Sequence, residues 1–413
     1  MKANAPVNPS RIAADIAALA EITETDRPWT RRAFTPTYLR GREWLSRRMR
    51  EAGLEVSIDH AGNLIGRLPG RNAGAGTLMI GSHSDTVPEG GRFDGIAGVV
   101  AGIEIARSLS EQGVVLEHDL EIVDFLAEEV SIFGVSCIGS RGMIGELPQD
   151  WLRREIDGRT LAAAIGEVGG DAARQAPRRD VKGFLELHIE QGPVLEADGG
   201  KIGIVTAIAG ITRIAIVVKG RADHAGTTPM SGRDDALVSA ARLTLAIREW
   251  AEARATGAGH FTFTATVGEF QMEPNAANVV PALVDMLVDA RASERSDMDD
   301  FLSWLTQAAA ELGAETRVIS DNLPRHSDLR LCDRLEQAAD AQGISHRRIV
   351  SGAGHDAAWI GKIAPAAMVF VPCRGGRSHC PEEWAETLDI ALGAAVLFHA
   401  LQQLDRDFDG SHD

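Results

Sequence analysis

The residues best suited to chemistry lie in Gly81-Ser82-His83-Ser84-Asp85-Thr86 and in its glycine-rich continuation, Gly90-Gly91-Arg92-Phe93-Asp94-Gly95, which runs on to Gly98. His83 and Asp85 stand two apart after the apolar run 77–80, so at an extended strand end their side chains leave one face. Asp94 follows a glycine-rich turn, just before an apolar stretch at 96–109 long enough for a helix. A histidine and two carboxylates at the carboxyl end of a strand are donors for a hard or borderline cation.

Companion groups occur at three further strand ends. Glu128 and Glu129 follow a strand at 120–126, His188 ends a strand at 184–188, and His379 ends a strand that begins at 366. In an α/β sheet such ends converge on one crevice, where ligands far apart in sequence meet. Five ligands with an aspartate among them suggest two divalent ions. Asp94 would bridge them, with His83 and His188 on one ion and Glu129 and His379 on the other. Asp85 would orient His83 from behind. Glu128 would then be free to take a proton from water and pass it to a leaving nitrogen.

The elements that must position these groups alternate. Helices at 9–19 and 36–52 precede strands at 54–58, 63–68 and 77–80; the 96–109 helix and the 120–126 strand follow, and 150–180 reads as charged and irregular. This is an α/β domain with a largely parallel sheet. From Ala209 the rhythm changes to strand 212–220, helix 234–254, strands 260–270 and 280–290, helix 294–313 and strand 315–321. That β-α-β-β-α-β order is the ferredoxin-like split pattern. The expected domains are therefore a discontinuous catalytic one, 1–209 with 325–413, and an inserted one, 210–324. Helices at 329–342 and 385–404 complete the first.

With 413 residues, 44% apolar and 24% charged, the chain has ample core for two domains. A net charge of −17 with 5% aromatic residues argues against a nucleic-acid partner. Cys137, Cys332, Cys373 and Cys380 have no CxxC spacing, which fits a reducing compartment. The first residues lack the apolar region of a signal peptide, and the apolar stretch 390–401 is short and contains His399, so no membrane span and a cytoplasmic location are expected.

The motifs GSHSDTVPEGGRFDG, AEE at 127–129, ELHIEQGP at 186–193, GRADHAGTTPM at 220–230, PNAANVVP at 274–281, SGAGHDA at 351–357 and RSHCPEEW at 377–384 resemble those of a known family. It comprises the metal-dependent amidohydrolases related to zinc aminopeptidases and aminoacylases. The nearest branch holds N-carbamoyl-L-amino-acid hydrolases, allantoate amidohydrolases and β-ureidopropionases. The resemblance implies a zinc-peptidase-like catalytic domain with an inserted lid and dimerisation domain. It implies two ions of zinc, manganese, cobalt or nickel per subunit, with Glu128 as general base. It places Gln191, Gly354 and His355 at the substrate. His224 would polarise the scissile carbonyl, and Asn275 and Arg291 would grip a substrate carboxylate, across a homodimer. The branch usually carries a glycine after the glutamate pair and then an arginine, where this chain has Val130 and Ile132. The implied substrate is a small amide bearing a carboxylate, first an N-carbamoyl-L-amino acid. Allantoate, an N-acyl amino acid or a dipeptide is the nearest alternative, and a non-catalytic binding protein a remote one.

Overall fold

The computed structural model describes residues 6–174, 176–255 and 263–409. The chain divides into two compact units. One is Met1–Thr206 with Ser327–Ile349 and His355–Asp413; the other is Ala207–His326 with Val350–Gly354.

In the first unit a mixed sheet runs in the order Glu55–Ile58, Leu64–Leu68, Asp119–Phe125, Thr77–His83, Val181–Ile189, Ala366–Val371 and Ile202–Ile208. The four central strands are parallel. The flanking pairs are antiparallel, so the parallel expectation holds only for the centre. The 77–83 strand is buried along its whole length because helices cover it, and its continuous apolar run reflects that.

Helix starts follow local capping. Asn8 accepts from the Ser10 and Arg11 amides ahead of Pro9–Ala20, and Thr35 accepts from the Tyr38 amide ahead of Pro36–Glu51. The segment 150–180 is more ordered than its composition suggests. It holds a short hairpin, Glu155–Ile156 with Arg159–Thr160, and the helix Leu161–Glu167. The last helix, Thr387–Asp409, is long and apolar enough over Thr387–Phe408 to cross a membrane, yet 67% of that window is buried. Ile390, Ala394, Leu397 and Leu401 lie in the first unit's core, so its apolarity is that of a core helix.

The second unit is a four-stranded antiparallel sheet with two helices. In chain order it reads Gly210–Lys219, Ala236–Arg254, Phe263–Glu273, Leu283–Ala292, Arg295–Glu311 and Ala314–Asn322. Numbered by sequence, its strands lie in the order 2-3-1-4, the ferredoxin-like arrangement. The expected start of the second strand, at 260–262, lies outside the described residues. Burial alternates along Gly210–Lys219, which sends Ile214, Ile216 and Val218 to the helix-covered face. Phe301 packs there against Trp250 and Phe263, with ring centroids 5.1 Å away in both cases. Phe301→Ala is expected to destabilise this unit by about 3–5 kcal/mol. Urea unfolding followed by tryptophan fluorescence would register it as an earlier transition, and an unchanged midpoint would contradict this account of the core.

Candidate metal centre

Parallel pairing is what brings the first two histidines together. Thr77–His83 and Val181–Ile189 are neighbours in the sheet, and the His83 and His188 rings lie 5.8 Å apart. Asp94, in the turn before the helix Ile96–Glu111, enters between them. Its Oδ1 is 3.4 Å from His83 Nε2 and 3.3 Å from His188 Nε2. Gly95 permits this approach: its φ is 64°, and a Cβ there would lie 2.5 Å from the His83 ring.

Each ring is oriented through its other nitrogen. His83 Nδ1 is 3.1 Å from the Asp85 carbonyl, and His188 Nδ1 is 2.9 Å from that of Ile189. A carbonyl only accepts, so Nδ1 carries a hydrogen in each ring, and once the ring gives up its second proton Nε2 presents the lone pair. The Gly95 amide, donating to His188 Nε2 at 3.1 Å, agrees.

On its other side Asp94 Oδ2 is 3.6 Å from His379 Nε2, which pairs with Glu129 Oε1 at 2.8 Å. His83, Asp94 and His188 thus offer one trio of donor atoms, and Asp94, Glu129 and His379 a second. Within each trio the atoms lie within 4.8 Å of one another. The donor set fits divalent ions on its chemistry. Two carboxylates and three imidazoles converge, and the buried carboxylates require compensating positive charge.

The electrostatics express the same demand. Burial opposes charging His83, but its hydrogen bonds to Asp85 and Asp94 and the nearby Glu128 carboxylate overcome that and raise the ring's pKa well above the usual. Burial would raise Asp94, yet His188 and His83 hold its carboxyl well below the carboxylate range. Burial pushes Glu128 well up, against the pull of His83 and with a further push from Glu129. His379 is half-exposed, and its bond to Glu129 raises it to about 9.

Asp85 has a second duty. Its carboxylate stands 3.6 Å from His83 Nδ1 and also accepts from the Glu128 and Glu129 amides, each at 3.2 Å. It therefore holds the turn that delivers both glutamates. That turn passes through Ala127 at φ 53°, and Gln191 at 58° and His379 at 55° are likewise left-handed. Side-chain-bearing residues in this region store strain, which clusters at functional sites. His379 also departs from expectation. Its strand ends at Val371, and the histidine arrives eight residues later on a loop beyond the turn Arg374–Gly376.

The remaining expected residues are distributed as follows. Gln191 donates from Nε2 to Asp94 Oδ2 at 2.6 Å. His355 is buried 4.6 Å from the His188 ring; burial and that neighbour keep its pKa well below normal, so the ring is neutral. Gly354, His224, Asn275 and Arg291 belong to the second unit. His224 Nδ1 accepts from the Gly226 and Thr227 amides, which leaves the neutral ring's hydrogen on Nε2. The His224 loop meets the Asn275 loop through the Ala225 amide and the Asn278 carbonyl, and Asn275 has φ 52°. Arg291, on Leu283–Ala292, donates to Asp289 at 2.8 Å and to the Gly352 carbonyl at 2.9 Å. Val130 is 45% exposed beside Glu129, while Ile132 packs against the cluster containing Phe34 and Phe133.

Several groups at the site were not anticipated. Cys137 places its sulfur 3.4 Å from Glu128 Oε1, leaving Oε2 toward His83 at 3.7 Å. Glu186 accepts from Ser82 at 2.9 Å and from the Ala357 amide at 3.1 Å. Its position two before His188 on one strand could have signalled it. Ser378 and Glu383 flank His379 in sequence and bond to Asp94 and its neighbours.

Comparison with known proteins gives the chain's family. The model of peptidase family M20/M25/M40 matches residues 79–403. An N-carbamoyl-L-amino acid amidohydrolase of Geobacillus stearothermophilus is 40% identical over 386 residues, covering 91% of this chain and 93% of its own. An allantoate amidohydrolase of Bacillus subtilis is 33% identical over 387 residues, covering 91% and 92%. Among solved structures, an amidase of the hydantoinase/carbamoylase family from Burkholderia multivorans superposes with a TM-score of 0.86. It is 36% identical and covers 96% of this chain and 98% of its own.

Proposed function

This chain belongs to peptidase family M20/M25/M40, and from that premise we propose that it hydrolyses N-carbamoyl-L-amino acids. One water is consumed and the C–N bond to the amino-acid nitrogen breaks, giving the amino acid and carbamic acid, which then breaks at its remaining C–N bond into carbon dioxide and ammonia. The observation that carries the reading is the pair of donor trios sharing Asp94, with Glu128 beside them. The substrate assignment draws on the N-carbamoyl-L-amino acid amidohydrolases among the relatives.

In this reading His83, Asp94 and His188 hold one ion, and Asp94, Glu129 and His379 hold the other. Divalent ions there supply Lewis acidity to the amide carbonyl and acidify water. Glu128 accepts the proton of the attacking water and returns it to the leaving nitrogen. Its orientation supports this, because Cys137 occupies Oε1 and Oε2 faces the cluster.

His224, Asn275 and Arg291 serve the substrate across a homodimer. His224 donates from Nε2 to the carbonyl oxygen as charge develops there; its Nδ1, which accepts two amides, favours that tautomer. Arg291 grips the carboxylate, its guanidinium braced by Asp289 and Gly352. Arg291→Lys should therefore lower kcat/KM about 10–100-fold, mostly through KM. A change in kcat alone would remove Arg291 from substrate binding.

The test of function is release of ammonia and free amine by metal-loaded protein. N-carbamoyl-L-amino acids, allantoate, N-acetyl amino acids and dipeptides form the panel. Ammonia with free amino acid from the carbamoyl compounds is the expected result. Ammonia from allantoate alone would make the Bacillus subtilis relative the better guide. Amine without ammonia would overturn the ureido assignment.

A further inference from the structure

The loops bearing Asp94 and His379 are far apart in sequence, and one buried carboxylate joins them. Glu383 is fully buried. Its Oε1 accepts from the Phe93 amide at 2.7 Å and the Asp94 amide at 3.1 Å. Its Oε2 is 2.8 Å from Ser378 Oγ, which is also 2.7 Å from Asp94 Oδ2. The contact is close on the backbone side too. Gly91 has φ 140°, and a Cβ there would lie 2.3 Å from the Glu383 carboxyl carbon. The next residue, Trp384, packs edge-on against Phe93 with ring centroids 5.4 Å apart.

These contacts act on the more open trio. His83 and His188 stand on paired strands, whose hydrogen bonds fix their spacing. His379 has no strand behind it, since its segment leaves the sheet at Val371. Its distance from Asp94 depends instead on what ties the two loops. Ser378 precedes His379 directly, so its hydroxyl, within hydrogen-bond reach of both Asp94 and Glu383, fixes the loop one residue from the ligand.

We propose that Glu383 and Ser378 are positioning residues that set the span of the Asp94–Glu129–His379 ion position by tying together the loops that carry Asp94 and His379. This rests on the two-ion reading given above. Their effect is on the affinity and geometry of one ion.

The test uses the full-length chain, stripped of metal and titrated with cobalt(II), with hydrogen exchange of the 87–98 and 374–386 segments measured in parallel. The variants are Glu383→Ala, Glu383→Gln and Ser378→Ala. Glutamine keeps an acceptor for the two amides and can donate to Ser378, so it should behave as wild type within about three-fold, whereas Glu383→Ala should weaken the second cobalt equivalent about 10–100-fold and leave the first nearly unchanged. Both segments should exchange faster in the alanine variant and not in the glutamine one. Ser378→Ala removes only a hydroxyl and carries the test if Glu383→Ala does not fold; it should weaken the same equivalent. Wild-type cobalt binding and exchange in the alanine variants would overturn the proposal, as would a glutamine variant as impaired as alanine. A wild-type chain that takes up a single equivalent would refute the two-ion reading instead, and the exchange result would still decide the loop tie.

Discussion

Glu128→Gln is expected to lose about 10²- to 10⁴-fold in kcat, the usual contribution of a positioned general base, while keeping its metal content and its fold. The substitution preserves shape and an acceptor for Cys137, whose sulfur lies 3.4 Å from Oε1. It removes the group that can receive a proton. Burial already holds Glu128 well above the ordinary carboxylate range, so the side chain is suited both to take a proton and to give it back. Single-turnover kinetics with metal content measured on the same sample would check this. Activity within about five-fold of wild type would place the base elsewhere.

Asp94→Ala should be more severe for the ions themselves. This carboxylate is common to both trios, with Oδ1 facing His83 and His188 and Oδ2 facing His379. Changing a residue behind a ligand usually costs 10–100-fold in metal affinity, so loss of a shared ligand should exceed about 100-fold. After dialysis the variant is expected to retain less than one ion per chain and to show no turnover. Chelator-treated wild type should recover activity when zinc or manganese is restored, and the variant should not. A variant that kept one tightly held ion and measurable turnover would show that Asp94 serves a single position.

Glu383 adds a different kind of constraint. The Asp85 carboxylate reaches forward to the Glu128 and Glu129 amides. Glu383 reaches back to the amides of Phe93 and Asp94. In both cases a buried carboxylate holds the backbone of a ligand-bearing turn, not the ligand side chain. Fixing the main chain limits where the ligand oxygen can go without competing for its lone pairs.

Much of this molecule was legible in the chain because its causes are local. Strand, glycine-rich turn and helix follow one another within residues 77–111, so His83 and Asp94 could be placed at one sheet end from their own neighbourhood. The period-two burial of Gly210–Lys219 and the amphipathic helices around it were written the same way, and the ferredoxin-like order followed. The ligand types were equally visible, since few side chains other than histidine and carboxylates can hold such ions.

Tertiary structure decided what depends on partners distant in sequence. Antiparallel flanks on a parallel centre depend on which edges pair, and hydrophobic runs do not specify that. Glu383 beneath Asp94 carries no local signature. A buried carboxylate acquires its partner only when the chain returns hundreds of residues later, as Glu383 does to Asp94 across 289 positions. His379 shows the same limit, because a loop's path is set by what it packs against. Periodicity and spacing report which face of an element is buried, and the contact that gives each buried polar group its partner is made by the fold as a whole.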